Sequence, residues 1–451
     1  MTSSLNLREM ALEILLEVEK NGAYPNVLLK QTLDKYLYME KQERAFLTRL
    51  VEGCVERKIT LEHYINSVSK TPVNKMKPVI RCIMRMAVYQ IFYMDSVPDS
   101  AACNEAVKLA QKKGFHTLKG FVNGVLRNLS RQKDEMTMPD EKKEPVKAFS
   151  VQYSIPEWLV EKIIRDYGKE NAKNMFASLY ENVGATSIRV NNSKISTAEC
   201  AELLKKEGVH VEKGAYVENA LEISGYDSLQ FLESFEKGCF QVQDVSSMLV
   251  GIAAAPKKGD RVIDVCAAPG GKSIHVADLM NGTGHVEARD LTDYKVSLIE
   301  ENIARCGFDN INAKKADALI LDEEAFESAD IVIADLPCSG LGVLKKKSDI
   351  KYRMSQAQIE ELVQLQRKIL KNAVTYVKKG GTLIYSTCTI AKEENDLQVD
   401  WILENLPLQL VSLENCMGEE ILKNTEREGV LQLLPGREKT DGFFLAKFRK
   451  V

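Results

Sequence analysis

From about residue 241 onward, short apolar runs alternate with helical stretches, and this alternation limits the fold more than any other feature of the chain. Strand-like segments are read at Arg261–Val265, His285–Ala288, Ile311–Lys314, Ile331–Ala334 and Thr382–Tyr385. Helical stretches separate most of them. The clearest is Ser355–Val377, which carries Ile359, Leu362, Val363, Ile369, Leu370, Ala373 and Val374 on one side. Strands that alternate with helices build a mostly parallel sheet covered on both faces. Ligands of such sheets bind beyond the carboxyl ends of the strands, so the loops after each strand are where chemistry is expected.

The rest of the chain is patterned differently. Residues 5–133 read as helices only. Met10, Ala11, Ile14, Leu15 and Val18 share one face of a first helix that stops at Asn21-Gly22. Similar patterns recur in Glu43–Val55, Val79–Tyr93 and Ala101–Lys112, with breaks at Thr71-Pro72, Val97-Pro98 and Lys113-Gly114. This predicts an all-helical domain over 1–133. Residues 134–147 are polar with two prolines and read as a linker. Residues 148–240 mix helices (Pro156–Tyr167, Lys169–Tyr180, Ala198–Glu207) with short strands (Thr186–Val190, Leu221–Ile223), which predicts a small α+β module. The fourth region, 241–451, is the α/β domain.

The net charge of −3 hides an asymmetry: residues 1–133 carry +8 and the remainder −11. A basic helical domain suits an anionic partner or is simply a solvated basic surface, and charge alone does not choose. No run approaches the roughly 18 consecutive apolar residues of a membrane helix, and the charged N-terminus is not a secretory signal. A cytoplasmic protein is expected, with no membrane association. The ten cysteines include no C-x-x-C pair and the five histidines no ligand spacing, so neither a disulfide framework nor a metal site is predicted.

The first strand leads into Asp264-Val265-Cys266-Ala267-Ala268-Pro269-Gly270-Gly271-Lys272-Ser273. A phosphate-binding P-loop would need glycine where Cys266 stands, and Pro269 lacks an N–H to offer phosphate. No G-x-G-x-x-G is present. A nucleoside-binding turn of a methyltransferase fits best, its glycines allowing close approach of the backbone. Asp290 follows the second strand, placed to accept from two ribose hydroxyls, and Asp317 follows the third, placed to meet an adenine edge. Each alone reads equally well as a helix cap or a solvated acid; their agreement in position favours the ligand. After the fourth strand comes Asp335-Leu336-Pro337-Cys338-Ser339-Gly340, and after the fifth Ser386-Thr387-Cys388-Thr389. Two cysteines at strand ends of one sheet face one crevice, as a nucleophile and a second acid–base group would. One reaction that needs such a pair is methylation of cytosine carbon 5, where a thiolate on carbon 6 converts the ring to an enamine-like nucleophile; for it Asp335, protonated or sharing a proton at that moment, would stabilise the charge that develops near nitrogen 3.

These motifs resemble those of the RNA 5-methylcytosine methyltransferases of the Nol1/Nop2/Sun family. The resemblance implies a Rossmann-like class I methyltransferase domain that uses S-adenosyl-L-methionine. It implies Cys388 as nucleophile, Cys338 as the residue that helps release product, and Asp335 beside them. Cys266, Ala267, Ala268, Pro269, Gly270, Gly271 and Lys272 fall in the implied cofactor site, with Asp290, Asp317 and Asp335. Arg189, Asn191 and Pro337 fall at implied substrate positions, Arg189-Val190-Asn191 resembling the family's element ahead of the core. Gln243–Val250 resembles its lead-in helix, and Asp441-Gly442-Phe443-Phe444 its last hairpin. The helical domain resembles the NusB-type RNA-binding fold through Ala101–Gln111 and Phe121–Leu129. The domain order is that of family members acting on bacterial 16S rRNA. It implies that RNA, or a small-subunit assembly intermediate, as partner of a monomeric enzyme. Thr389 stands where serine is commoner, and Arg289 precedes the motif acid. A catalytically dead scaffold is opposed by the presence of both cysteines and Asp335. An antitermination factor would leave the last two-thirds of the chain unexplained.

Overall fold

The computed structural model describes residues 6–36, 38–181 and 184–451. The chain forms two compact units: residues up to Phe176 together with Lys346–Arg353, and Ala177–Lys345 together with Met354–Val451.

The first unit is helical: α1 (Leu7–Asn21), α2 (Pro25–Lys35), α3 (Lys41–Glu56), α4 (Lys58–Val68), α5 (Pro78–Tyr93), α6 (Asp99–Lys112), α7 (Lys119–Arg131), α8 (Pro145–Tyr153), α9 (Glu157–Tyr167) and α10 (Lys169–Ser178). Asn6 caps α1 by accepting from the Glu9 N–H at 3.0 Å, and Gly22 ends it at φ 64°. Helix α5 is buried around most of its circumference from Ile80 to Ile91. It packs against α1, α3, α4, α6 and α7, as a helix apolar on all sides must. The sequence pattern missed α2, which buries only Pro25 and Leu29 and so has little periodic signal.

Helices α8 to α10 pack with this unit, whereas the sequence placed residues from 148 onward in the small module. The Thr60 hydroxyl donates to Val151 O at 2.6 Å, and the Ile59 N–H to Ser154 Oγ at 2.8 Å. These bonds, with Ala148 and Phe149 buried, hold α8 on α4.

The second unit holds two sheets. In the smaller, β1 (Thr186–Val190), β2 (His210–Lys213), β3 (Ala220–Ser224) and β4 (Phe240–Val242) pair antiparallel in the order β2-β3-β1-β4, with α11 (Thr197–Lys206) and α12 (Glu233–Glu236) alongside. Helix α13 (Val245–Ala254) leads into the larger sheet. Its elements are β5 (Arg261–Asp264), α14 (Gly271–Leu279), β6 (His285–Asp290), α15 (Asp293–Cys306), β7 (Ile311–Lys315), β8 (Ala329–Asp335), α16 (Ile350–Arg353), α17 (Gln356–Tyr376), β9 (Val377–Thr387), α18 (Asp396–Asn405), β10 (Leu408–Leu410), α19 (Glu419–Leu422), β11 (Val430–Leu433) and β12 (Phe443–Lys450). The order is β10-β12-β9-β8-β5-β6-β7, with β11 also on β12. Strands β5 to β9 are parallel, and β10 to β12 close the edge antiparallel.

Alternate residues serve the two faces, as strand geometry requires. Val262, Ile331, Ile333 and Ile384 enter one core, and Ile263, Val332 and Leu383 the other. Every strand expected beyond residue 241 is present, and β9 extends well past Thr382–Tyr385. The multidomain fold class expected from sequence, helical then small α+β then Rossmann-like, is therefore the fold observed. The order reverses between β5 and β8, so their following loops diverge and leave a crevice at the carboxyl edge.

The segment Lys346–Arg353, with α16, belongs with the helical unit although it falls inside the α/β region of the sequence. Lys351 is 1% exposed and donates to Glu56 O at 2.9 Å. The Tyr352 hydroxyl donates to Ser154 O at 2.9 Å, and Arg353 to Gly22 O at 2.5 Å and to Ala23 O. Burial pulls the Lys351 ammonium down from 10.5 to about 7. Among the described residues no helix is long and apolar enough to cross a membrane.

Candidate active site

Four loops reach the crevice. The β5–α14 loop is shaped from inside. Asp264 is buried, accepting from Ser273 Oγ at 2.7 Å and from the Cys266 N–H at 3.4 Å. Burial pushes its carboxyl up to about 7, with nearby Asp335 adding to the rise. The Ala267 N–H donates to Arg289 O at 2.7 Å, and Gly270 turns the chain at φ 101° into α14. Asp290 ends β6 and joins the same loop, its Oδ2 accepting from the Ala268 N–H at 3.0 Å. Its Oδ1 accepts from the Leu291 N–H at 2.8 Å and from Lys295 at 2.9 Å. Asp317 follows β7, half-buried, and takes the Leu319 N–H at 2.9 Å. Leu291 and Ile320 stand exposed beside the two acids.

The loop Cys266–Lys272, Asp290 and Asp317 thus leave adjacent parallel strands in the order a nucleoside would need. Gly270 and Gly271 present backbone rather than side chain, two carboxylates stand at the ends of β6 and β7, and exposed apolar side chains flank them. These residues fit a nucleoside-containing cofactor. Burial, with Asp264, Asp290 and Asp335 nearby, holds the Cys266 thiol well above its ordinary range, so it offers packing rather than a nucleophile.

Lys272 spans the crevice and meets Asp335 Oδ2 at 2.7 Å. Burial pulls the ammonium down, but Asp335, then Asp264 and Cys388, more than offset this and hold it above its usual value. Asp335 Oδ1 accepts from Ser386 Oγ at 2.8 Å, across the register pair Asp335–Ser386 of β8 and β9. Just beyond, Cys338 and Cys388 lie with sulfurs 3.1 Å apart, both half-buried. The bond to Cys388 and burial keep the Cys338 thiol well above its ordinary range. Pro337 is exposed at the mouth, its carbonyl accepting from Gln366 Nε2 at 3.0 Å. The Gly442 N–H donates to Gly342 O at 2.9 Å, and the Gly342 N–H to Cys388 O at 3.0 Å, so the last hairpin closes on the cysteine loop.

Lys272, Asp335, Cys338 and Cys388 are therefore brought together, and Cys266, Asp290 and Asp317 line the neighbouring loops. Arg189 and Asn191, expected to meet substrate, are placed otherwise. Arg189 is fully buried, with Nη1 on Asp278 Oδ2 at 2.7 Å and Nε on Gln243 Oε1 at 2.9 Å. Asn191 Nδ2 donates to Gly238 O and Cys306 O, both at 3.1 Å. As placed, both fasten β1 of the small sheet to α14 and to the end of α15, and neither side chain reaches solvent. Glu394, Asn395 and Gln366, buried behind the cysteines, were not singled out by sequence.

Comparison with known proteins agrees along the whole chain. The family model described as 16S rRNA methyltransferase RsmB/F matches residues 251–449, the NusB family model 5–131, and a ferredoxin-like domain model of RsmF/B-like methyltransferases 155–229. The "Probable ribosomal RNA small subunit methyltransferase B" of Bacillus subtilis is 38% identical over 99% of both chains. The Ribosomal RNA small subunit methyltransferase B of Escherichia coli is 29% identical over all of both chains. Among solved structures, PH0851 superposes with a TM-score of 0.82 at 26% identity over 99% of both chains. NSun6 from Pyrococcus horikoshii, solved with SFG, gives 0.60 at 26% identity over 66% of this chain and 98% of its own. Residues 5–131 are thus NusB-like and residues 155–229, which include α9 and α10, ferredoxin-like, and the chain belongs to the RsmB/F family of 16S rRNA methyltransferases.

Proposed function

We propose that this chain methylates carbon 5 of a cytosine in 16S rRNA, with S-adenosyl-L-methionine as donor and a covalent adduct between Cys388 and carbon 6 as intermediate. The observation that carries the reading is the pair of thiols 3.1 Å apart at the carboxyl ends of neighbouring parallel strands, beside the Lys272–Asp335 ion pair. A single thiol would suffice for addition alone; a second in contact supplies a partner for the proton transfers that follow.

When bound, the cofactor supplies an electrophilic methyl group on a sulfonium. The residues suited to hold it are Cys266–Lys272, Asp290 and Asp317. The Cys388 thiolate adds to carbon 6, forming a sulfur–carbon bond and making carbon 5 nucleophilic. Lys272 stabilises that thiolate, the attraction between them being mutual. Asp335, fixed by Lys272 and Ser386, stabilises the negative charge that builds near nitrogen 3 by sharing with it a proton held by the Lys272–Asp335 pair. Once carbon 5 is methylated, its proton leaves, the sulfur–carbon bond breaks and the thiolate returns. Cys338 serves this release. The basic helical domain offers an electrostatic hold on rRNA phosphates.

The test is methyl transfer from labelled S-adenosylmethionine to unmethylated 16S rRNA, with the product mapped by bisulfite sequencing. A single protected cytosine is expected. Cys388→Ala abolishes turnover, and Cys338→Ala accumulates an RNA adduct that survives denaturing gels. Methylation that persists in Cys388→Ala overturns the reading.

A further inference from the structure

Behind the two cysteines lies a buried polar cluster that the chemistry above does not use. Glu394 and Asn395 form the turn between β9 and α18, and both are 0% exposed. Glu394 Oε1 accepts from the Ser339 N–H and from Gln366 Nε2, each at 2.9 Å, and its Oε2 accepts from the Ser339 hydroxyl. The same Gln366 amide holds Pro337 O at 3.0 Å. Both chain neighbours of Cys338 are therefore gripped from one side.

Asn395 does the same for Cys388. Its Oδ1 accepts from the Thr387 hydroxyl at 2.7 Å, and its Nδ2 donates to Thr389 O at 3.0 Å. A further amide contact, to Gln432 Oε1 at 2.7 Å, fixes the side chain. The Thr389 and Ser339 hydroxyls, 2.6 Å apart, join the two grips. With the Ser339 proton directed to Glu394, the Thr389 hydroxyl donates to Ser339 and accepts from the Ala391 N–H at 3.1 Å. The Tyr385 hydroxyl closes the cluster on Glu394 O at 2.6 Å.

A buried carboxylate is costly, and an apolar side chain of the same volume would stabilise a core at least as well. Glu394 has hydrogen-bond donors but no ion pair among the described residues. Its charge lies on the Cys338 side of the thiol pair, whereas the Lys272 cation lies near Cys388. Geometry and charge thus treat the two thiols differently.

We propose that the Glu394-Asn395 turn is the positioning element of the two-cysteine site, Glu394 holding Cys338 and Asn395 holding Cys388 so that the sulfurs meet. This rests on the two-cysteine reading above. Neither residue touches substrate; each acts through the peptide on either side of a cysteine.

The two halves of the clamp predict opposite behaviour. Glu394→Gln keeps the volume, removes the charge and puts an N–H where the Ser339 hydroxyl now donates to Oε2, so that hydroxyl must turn toward Thr389. The substitution lowers kcat by roughly 10²-fold, the effect of misplacing a reacting group by about 1 Å. The KM for S-adenosylmethionine is unchanged, and the Cys388–RNA adduct accumulates, as in Cys338→Ala. Asn395→Asp keeps the Thr387 bond but loses the donor to Thr389; it lowers kcat while forming adduct more slowly than wild type. Assays use the full chain and unmethylated 16S rRNA, with adduct read on denaturing gels and cofactor affinity by calorimetry. Turnover unchanged in Glu394→Gln, or a loss that tracks melting temperature and cofactor affinity without adduct, overturns the proposal. So does accumulation of adduct by Asn395→Asp. If Cys338→Ala itself leaves no adduct, the two-cysteine reading fails; if it does and Glu394→Gln does not, only this inference fails.

Discussion

Gly342→Ala separates catalysis from cofactor binding. A Cβ on Gly342 would stand 2.0 Å from Gly442 O, 2.6 Å from Gly442 C and 2.8 Å from Cys388 O. All three are backbone atoms, so no side chain can swing aside. Ordinary contact begins near 3.4 Å, so the Cys338 loop, the Cys388 strand end or the last hairpin must give by about 1.4 Å. Any of the three displaces Cys388 relative to Cys338, because Gly342 is tied to Cys388 O and Gly442 is tied to Gly342. A displacement of about 1 Å in a reacting group costs roughly 10²-fold in rate, and overpacking of this kind destabilises by about 1–3 kcal/mol. The proposed cofactor loop Cys266–Lys272 makes none of these three backbone contacts and meets the hairpin through Lys272, whose Nζ lies 5.8 Å from the Phe443 ring centroid. Single-turnover methyl transfer should therefore fall about a hundredfold, while the Kd for S-adenosylmethionine holds. Wild-type turnover, or a loss of cofactor affinity equal to the loss of rate, refutes the reasoning.

Two further predictions concern stability. Arg189→Met removes the cation paired with Asp278, which is then held only by the Ser193 N–H and hydroxyl and the Asn192 N–H; it should destabilise the second unit by about 3–5 kcal/mol in chemical denaturation, and wild-type stability would show that the pair does not fasten β1 to α14. Lys351 has a folded pKa of about 7 against 10.5 ordinarily, so its stabilising contribution is present above the higher value and lost as pH falls toward the lower one. Lys351→Met should then gain melting temperature over wild type as pH drops from 9 to 6, and an offset that does not vary with pH contradicts this.

The candidate site loops were legible because they leave strand ends, and the strands announce themselves by apolar runs. Asp290, Asp317, Cys338 and Cys388 needed only the strand order to fall on one edge of the sheet. Arg189 was legible as a motif residue but not in its burial against Asp278. An arginine that binds phosphate and one that pairs with a buried aspartate look alike until burial is known. Glu394 was hidden by its setting. In the run Lys392-Glu393-Glu394-Asn395-Asp396 an acid reads as the solvated first turn of a helix, and only 0% exposure sets it apart. The docking of Lys346–Arg353 in the helical unit was invisible for a similar reason. A stretch of lysines with one aspartate carries no periodicity, although Lys351 is among the largest fully buried side chains. Strands β2 and β4 were missed because β2 is mostly exposed and β4 has three residues, too few for alternation to show.

The two-thiol site is a consequence of register as much as of residue type. Strands β8 and β9 run parallel and adjacent, so their carboxyl ends lie about 4.8 Å apart and both loops leave in the same direction. Asp335 pairs with Ser386, and from that pair Cys338 is three residues on and Cys388 two. Slipping β8 by one residue would turn each of its side chains to the opposite face. The Ser386 hydroxyl would then leave Asp335, and Lys272 would lose the carboxylate that holds it near Cys388. An antiparallel neighbour could not replace β9, because its carboxyl end would lie at the far edge of the sheet. The antiparallel β12 contributes instead from its amino end, where Gly442 precedes Phe443 and closes on Gly342. A parallel pair brings the thiols together, and an antiparallel hairpin braces them.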